Sequence, residues 1–411
     1  MIRRVISQGA RLLIQLSLAA GFCFLSLAQI DPEERHLIQV GYNQSIEGHS
    51  PISGYGFFYY NQPHFHATNL TLRLAVAPIY LDADLGFTGL LGPQTDVSVG
   101  VSGGGFAYAY PEIRKGDYLR RESFTGHGGD VSASLYHRFN PEHEVPLWFV
   151  LRGSAHRFAY ERDKQTDPLF QVPEDRTAFH LRSGLRFGGQ EPSLTAPLAL
   201  ELSVWYESQF RLNSGPYGFG GDRFVEPNSH LFWTRGLVKF MFENEHLIEA
   251  SLTGGASIHP DRFDAYRLGG VLPFASEFPL SLPGYFYQEL SAQRFVLVNA
   301  QYSFPLTPKR NWRLTTFAAG AGVKYLPGLE QDASWHSGAG GGLTYISPTG
   351  AWITSVIYGH GFDAIRSDGR GANQVGFLFQ YDFDAKKRGR SRFFMPGVSP
   401  YRSRGGEKLF R

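Results

Sequence analysis

The residues able to do chemistry in this chain come in short, isolated groups. Asp82 and Asp84 share one face of a period-2 segment, and His64 and His66 share another, so either pair offers two ligands to a metal. A metal needs three or four ligands in defined geometry, so these residues read as solvated polar groups and no metal or cofactor is expected. Ser50 follows His49, and His127 lies near Asp130 in the run GHGGD, which supplies the parts of a lipid hydrolase: a nucleophile, a base and an acid. No G-x-S-x-G turn, Walker loop, H-E-x-x-H or C-x-x-C is present, so the common catalytic signatures are missing. The expectation is a non-enzymatic protein that does not bind nucleic acid, with the hydrolase kept as the rival from another class.

The elements that must carry these residues alternate with period 2. From Pro197 to Leu212, Leu198, Leu200, Leu202, Val204, Tyr206, Phe210 and Leu212 lie on one face, opposite Glu201, Ser203, Trp205, Glu207, Gln209 and Arg211. At about 3.3 Å per residue this strand is near 50 Å long, whereas a membrane-spanning strand needs about 9–11 residues and a soluble one has about 5–6. The same beat recurs in sixteen segments: 37–44, 53–60, 65–76, 79–90, 95–110, 129–139, 145–161, 177–188, 197–212, 229–242, 246–258, 292–305, 312–325, 335–346, 350–360 and 373–383. Connections alternate long and short over most of the chain, as outer loops and periplasmic turns do. With 48 glycines and 15% aromatics, the sequence predicts an all-β fold, a transmembrane antiparallel up-and-down barrel of sixteen strands. Outer-membrane lipid is then its first partner. The even strand number places both mature termini in the periplasm of a Gram-negative-type envelope.

Residues 1–28 read as a secretory signal, with Arg3 and Arg4 ahead of an apolar run and Ser26-Leu27-Ala28 at the cleavage point. The barrel domain is expected over 29–383, closing on a last strand with Phe377, Phe379, Tyr381 and Phe383 on its outer face. Residues 384–411 form a basic tail read as disordered, with nine Lys or Arg and one acid from 385 onward. Without that tail and the signal, 27 basic residues stand against 36 acidic ones, a net of −9. The tail is suited to anionic headgroups or to a separate periplasmic or outer-membrane protein.

Residues 268–290 are no strand: three glycines, three prolines and five aromatics make a loop too long and too apolar to stay in water. It is expected to fold into the lumen. It begins Arg267-Leu268-Gly269-Gly270, reaches a tip at Pro283-Gly284-Tyr285, and leads into a strand reading NAQYSFPL. This arrangement resembles the surface-antigen superfamily of outer-membrane barrels, which includes the BamA- and TamA-type assembly factors. In that family an arginine at the tip of the lumen loop pairs with an acid on a barrel strand. Here the tip is uncharged, and Ala319 stands in Phe317-Ala318-Ala319-Gly320-Ala321 where the acid would be. The pair is missing as a pair. A smooth wall of Ala319, Gly320, Gly322, Gly340 and Gly342 is expected to receive Tyr285, Phe286 and Tyr287 in its place. The resemblance implies a role in outer-membrane biogenesis or in transport of protein or lipid, and the lack of receptor domains ahead of the first strand implies separate periplasmic partners. A passive pore for small solutes is the rival among membrane proteins.

Overall fold

The computed structural model describes residue 30 and residues 34–105, 110–143, 145–189, 200–242, 244–272, 278–367 and 369–385. The predicted signal and nearly all of the basic tail lie outside the described residues. Sixteen strands form the wall in chain order: β1 (Arg35–Ser45), β2 (Ser53–Pro63), β3 (Leu70–Ala77), β4 (Tyr80–Phe87), β5 (Thr95–Gly104), β6 (Phe124–Arg138), β7 (Leu147–Arg162) and β8 (Arg176–Gly188). They continue with β9 (Leu200–Arg211), β10 (Asn228–Met241), β11 (Leu247–Ile258), β12 (Leu290–Pro305), β13 (Trp312–Tyr325), β14 (Trp335–Ile346), β15 (Trp352–Arg366) and β16 (Gly369–Asp382). Each pairs antiparallel with the next, and β1 pairs with β16 from Leu37↔Asp382 to Ser45↔Gln374, which closes the cylinder.

The alternation read from sequence is the alternation of the wall. On β9, Leu202 and Val204 are 60% and 54% exposed, while Glu201, Ser203, Trp205, Glu207, Gln209 and Arg211 are buried. Carboxylates turned inward and aliphatics turned outward are stable only if the outside is hydrocarbon and the inside is wet or ion-paired. The inner face meets this demand with ladders of charge: Glu201 accepts from Arg235 and lies 3.7 Å from Arg186, and Glu207 accepts from Arg182 at 2.8 Å. At the end where the chain enters and leaves, outward rings form a belt that runs through Trp312, Tyr345, Trp352 and Phe379, and again through Tyr381, Phe383 and Phe58. Such rings prefer the level of lipid headgroups.

Several boundaries differ from the sequence expectation, that of β3 among them, which begins at Leu70 rather than 65. β5 stops at Gly104, short of residue 110. β6 begins at Phe124 rather than 129, because the glycines of GHGGD pair with Gly103, Gly104 and β7 instead of forming a loop. β15 and β16 run on to Arg366 and back from Gly369, a hairpin where a loop was expected, since a bulge between Gly361 and Ile365 shifts the parity that sequence reading relies on.

A charge added to the outer face should cost far more than one added to the inner face of the same strand. On β12, Val298 is half exposed on the outside and Asn299 faces the lumen. Val298→Arg is expected to destabilise the barrel by about 2–4 kcal/mol, and Asn299→Arg by much less. Urea unfolding in lipid vesicles measures the difference; equal losses would contradict the assignment of faces.

Candidate functional site

The described residues of the connection from β11 to β12, 259–272 and 278–289, turn into the cylinder. The entry of this loop is set by backbone geometry. Tyr266–Leu268 adds a short strand against Leu290–Ala292, and then Gly269 and Gly270 take φ of +137° and +93°, a conformation that L side chains avoid. A Cβ on Gly269 would also collide with the carbonyl of Phe286, so the glycines of Arg267-Leu268-Gly269-Gly270 are what allow the chain to fold back on itself. Gly269 N–H donates to Leu280 O at 3.0 Å, and Leu282 N–H to Gly270 O at 3.1 Å, which makes the loop a compact double layer. Leu268, Leu272, Leu282, Tyr285 and Phe286 are fully buried.

Three sets of contacts fix this loop to different parts of the wall. At the root, Arg211 at the end of β9 donates to Asp261 at 2.6 Å and Asp264 at 2.9 Å. Midway, Leu272 exchanges two hydrogen bonds with the Asn43 side chain on β1 (3.1 and 3.3 Å), while Val271 and Leu272 fill the space a side chain would need on Gly376 of β16. Asn43 and Gly376 are register partners across the closing seam, so the loop lies over both sides of it. At the tip, Pro283 and Gly284 press on Gly338, Gly359 and Gly361, where a Cβ on Gly359 would lie 2.9 Å from that of Pro283. Tyr285 Oη sits 3.0 Å from His336 Nδ1. Arg366 then reaches in from the end of β15, bonding both carboxylate oxygens of Glu289 at 3.0 and 2.9 Å, donating to Gly284 O at 3.2 Å, and stacking over Phe286 at 3.7 Å.

The predicted residues divide accordingly. Ala319 faces inward, across a cavity of about 120 Å³ from Pro279 and Pro283. Gly340 and Gly342 also face inward, but the wall's own Phe317 and Ile357 occupy the space beside them, so the tip does not rest there. Gly320 and Gly322 must be corrected: alternation with buried Ala319 and Ala321 puts them on the outer face, with Gly322 against exposed Trp335. Phe377, Tyr381 and Phe383 are outward on or just beyond β16, and Phe379 shares their face. His64 and His66 lie in the turn after β2, with His64 Nδ1 2.6 Å from Thr68 O. Asp82 pairs with Arg73 at 3.1 Å, and Asp84 accepts from Ser98. His127 and Asp130 fall on opposite faces of β6: His127 lies 3.4 Å from Glu161, and Asp130 pairs inward with Ser102 and His156. Among the described residues no hydrogen bond joins Ser50 to either.

Sequence reading missed the arginine that holds the tip. At Pro283-Gly284-Tyr285 and Ala319 the pair is absent, as the sequence indicated, and a different buried pair joins loop to wall, Glu289 at the end of the loop with Arg366 on β15. The available signal was Glu289 itself, an acid at the end of an aromatic loop that could be buried only with a cation beside it. A second grouping also escaped notice. Glu34, His36 and Asp384 meet where the first and last strands meet, with His36 Nδ1 2.7 Å from Asp384 Oδ2.

No family model and no characterised protein matches the chain by sequence. The fold is similar to solved barrels. CdiB from Acinetobacter baumannii aligns at TM-score 0.55 and 11% identity over 85% of this chain and 60% of that one. CdiB from Escherichia coli aligns at 0.55 and 12%, over 86% and 63%. BamA from Haemophilus ducreyi lacking POTRA domains 1-3 aligns at 0.53 and 13%, over 85% and 71%. The chain thus spans under two thirds of the length of the CdiB structures.

Burial, reinforced by the Asp261 carboxylate beside it, pushes the Asp264 carboxyl up to about 6 against the pull of Arg211. The folded loop therefore holds a proton that the unfolded chain, with an ordinary Asp near 4, has lost. That contribution is fully present below about pH 4 and lost as pH rises through about 6. The melting temperature of the wild type should fall between pH 5 and pH 7 relative to Asp264→Asn, which cannot ionise; parallel pH profiles would refute the shared-arginine arrangement.

Proposed function

We propose that this protein is an integral outer-membrane barrel with both termini in the periplasm, closed at rest by its own loop 259–289. Its role on this reading is in outer-membrane biogenesis or the transport of protein or lipid. The observation that carries the reading is the loop itself, fixed to β9, to both sides of the β1–β16 seam and to the β14–β15 wall. A passive diffusion pore has no use for a plug bolted to opposite sides of its lumen. The likeness in fold to BamA and CdiB barrels supports the reading, as does the placement of the RLGG turn at the entry of the lumen loop. Periplasmic partner proteins would act together with the barrel, with the basic tail as the contact.

The electrical test is direct. In planar bilayers the wild type should conduct poorly, and deletion of residues 271–283 should open it severalfold. Arg366→Ala should raise the open fraction as well, because it strands Glu289 without its partner, at a cost of roughly 3–5 kcal/mol to the docked tip. A wide, steady conductance in the wild type that neither change alters would establish the passive pore instead. Retention of periplasmic proteins by the full chain, lost on removal of residues 386–411, checks the partner half of the reading.

A further inference from the structure

Between the root of the lumen loop and strands β7 to β9 lies a cavity of about 510 Å³, in the size range of small-molecule sites. Four arginines line it: Arg176, Arg211, Arg262 and Arg267. Among the described residues no Asp or Glu side chain lines it. The carboxylates that balance Arg211 and Arg262 stand behind them, Asp261 and Asp264 on one and Glu112, 3.2 Å away, on the other. What faces the cavity is therefore the positive side of each pair. The remaining walls are largely rings, among them Phe158, Tyr160, Phe263 and Phe278.

Arg176 is the group that points to a ligand. Only 4 Å separates its guanidinium carbon from the Phe263 ring centre, and its Nη2 donates to Tyr160 Oη at 2.6 Å. Its side chain is among the largest fully buried ones, at 2% exposure, yet Nε and Nη1 have no hydrogen-bond partner. Among the described residues no carboxylate lies within ion-pair distance of it, nor of Arg267, which stacks over Tyr110 at 4.1 Å. A buried donor left unsatisfied costs about 1–3 kcal/mol, more when charged. The guanidinium fork presents parallel N–H groups in the geometry that carboxylate and phosphate oxygens accept.

We propose that this cavity is a binding site for a small organic anion, an oxyanion head received by Arg176 and Arg267 with an apolar or aromatic body lying against Phe263 and Phe278. The site is independent of whether the barrel transports protein or lipid, because it is formed by the docked loop and the wall alone. Carboxylate and phosphate heads share the chemistry, and the choice between them is left to the probes.

Isothermal titration of the full-length protein in detergent with benzoate, phenyl phosphate, inorganic phosphate and benzamidine provides the test. Benzoate or phenyl phosphate should bind, and the tighter of the two identifies the head. Benzamidine, of like shape and opposite charge, should not bind. Inorganic phosphate should bind at least about ten-fold more weakly than phenyl phosphate, since it lacks the ring. Arg176→Gln should weaken the organic anion by about ten-fold or more. Arg267→Gln serves as a second variant should the first fail to show the heat-modifiable mobility of a folded barrel. Phe278 stands edge-on to Trp205 and Trp233 at 5.5 and 5.8 Å, so tryptophan emission gives an independent readout. Failure of both organic anions to bind, equal binding of benzamidine, equal binding of inorganic phosphate, or undiminished binding by folded variants at both arginines would each overturn the proposal. None of these outcomes bears on the conductance of the barrel.

Discussion

Everything in this molecule depends on the ring of backbone hydrogen bonds being complete. Hydrocarbon offers no partner to a peptide group, so a sheet that presents apolar side chains outward can exist there only if its first strand meets its last. The β1–β16 register, running from Leu37↔Asp382 to Ser45↔Gln374, supplies that closure, and Gln39 donates to Gln380 across it at 3.0 Å inside the lumen. Closure then dictates the rest. Half of all wall side chains must face a lumen too narrow to hydrate every charge freely, so they pair with one another: Arg186 and Arg235 with Glu201, Arg182 with Glu207, Lys239 with Glu249. The loop is held by the same rule, a buried carboxylate being tolerable only with its cation in place.

The wall was legible from sequence because its two faces meet different media along every strand. A period of 2 survives any error in strand length, and all sixteen segments were placed by it. It failed where alternation carried no contrast. Glycine has no face to show, which hid the start of β6, and the bulge after Gly361 reversed parity in mid-strand, which hid the end of β15 and with it Arg366. The same lack of contrast misplaced Gly320 and Gly322: in a run of Ala and Gly, composition suggests a smooth wall, but only register says which half of it faces the loop. The loop's position inside the lumen could be inferred from its apolar content. Its seat could be inferred only in part: Gly338 opens the Gly/Ala run of β14, but Gly359 and Gly361 come from β15, where nothing local marks them as part of a patch.

The lock at the tip shows what kind of information a motif carries. The family pattern would put an arginine in Pro283-Gly284-Tyr285 and an acid at Ala319, and neither position carries a charge. A buried carboxylate needs a cation beside it wherever it stands. Glu289 at the end of the loop has one in Arg366, which reaches down from the β15–β16 hairpin. The aromatic face of Phe286 beneath the guanidinium adds a contact that an exposed arginine would not have.

The placement of the arginine on the wall decides which contacts are linked. An arginine carried on the loop would leave with it; here the cation belongs to a wall hairpin whose other strand, β16, is one side of the closing seam. The loop in turn touches both seam strands through Asn43 and Gly376. Arg366, Glu289, Leu272 and the β1–β16 pairing therefore form one connected structure. Withdrawing the loop at Val271 and Leu272 would uncover Gly376 and break both bonds to Asn43, so the inner face of the seam would lose those contacts. Conversely, a disturbance of the β15–β16 hairpin moves the arginine that holds the plug. Loop and seam are thus linked through Asn43 and Gly376: lifting Leu272 away takes two hydrogen bonds from the inner face of the seam.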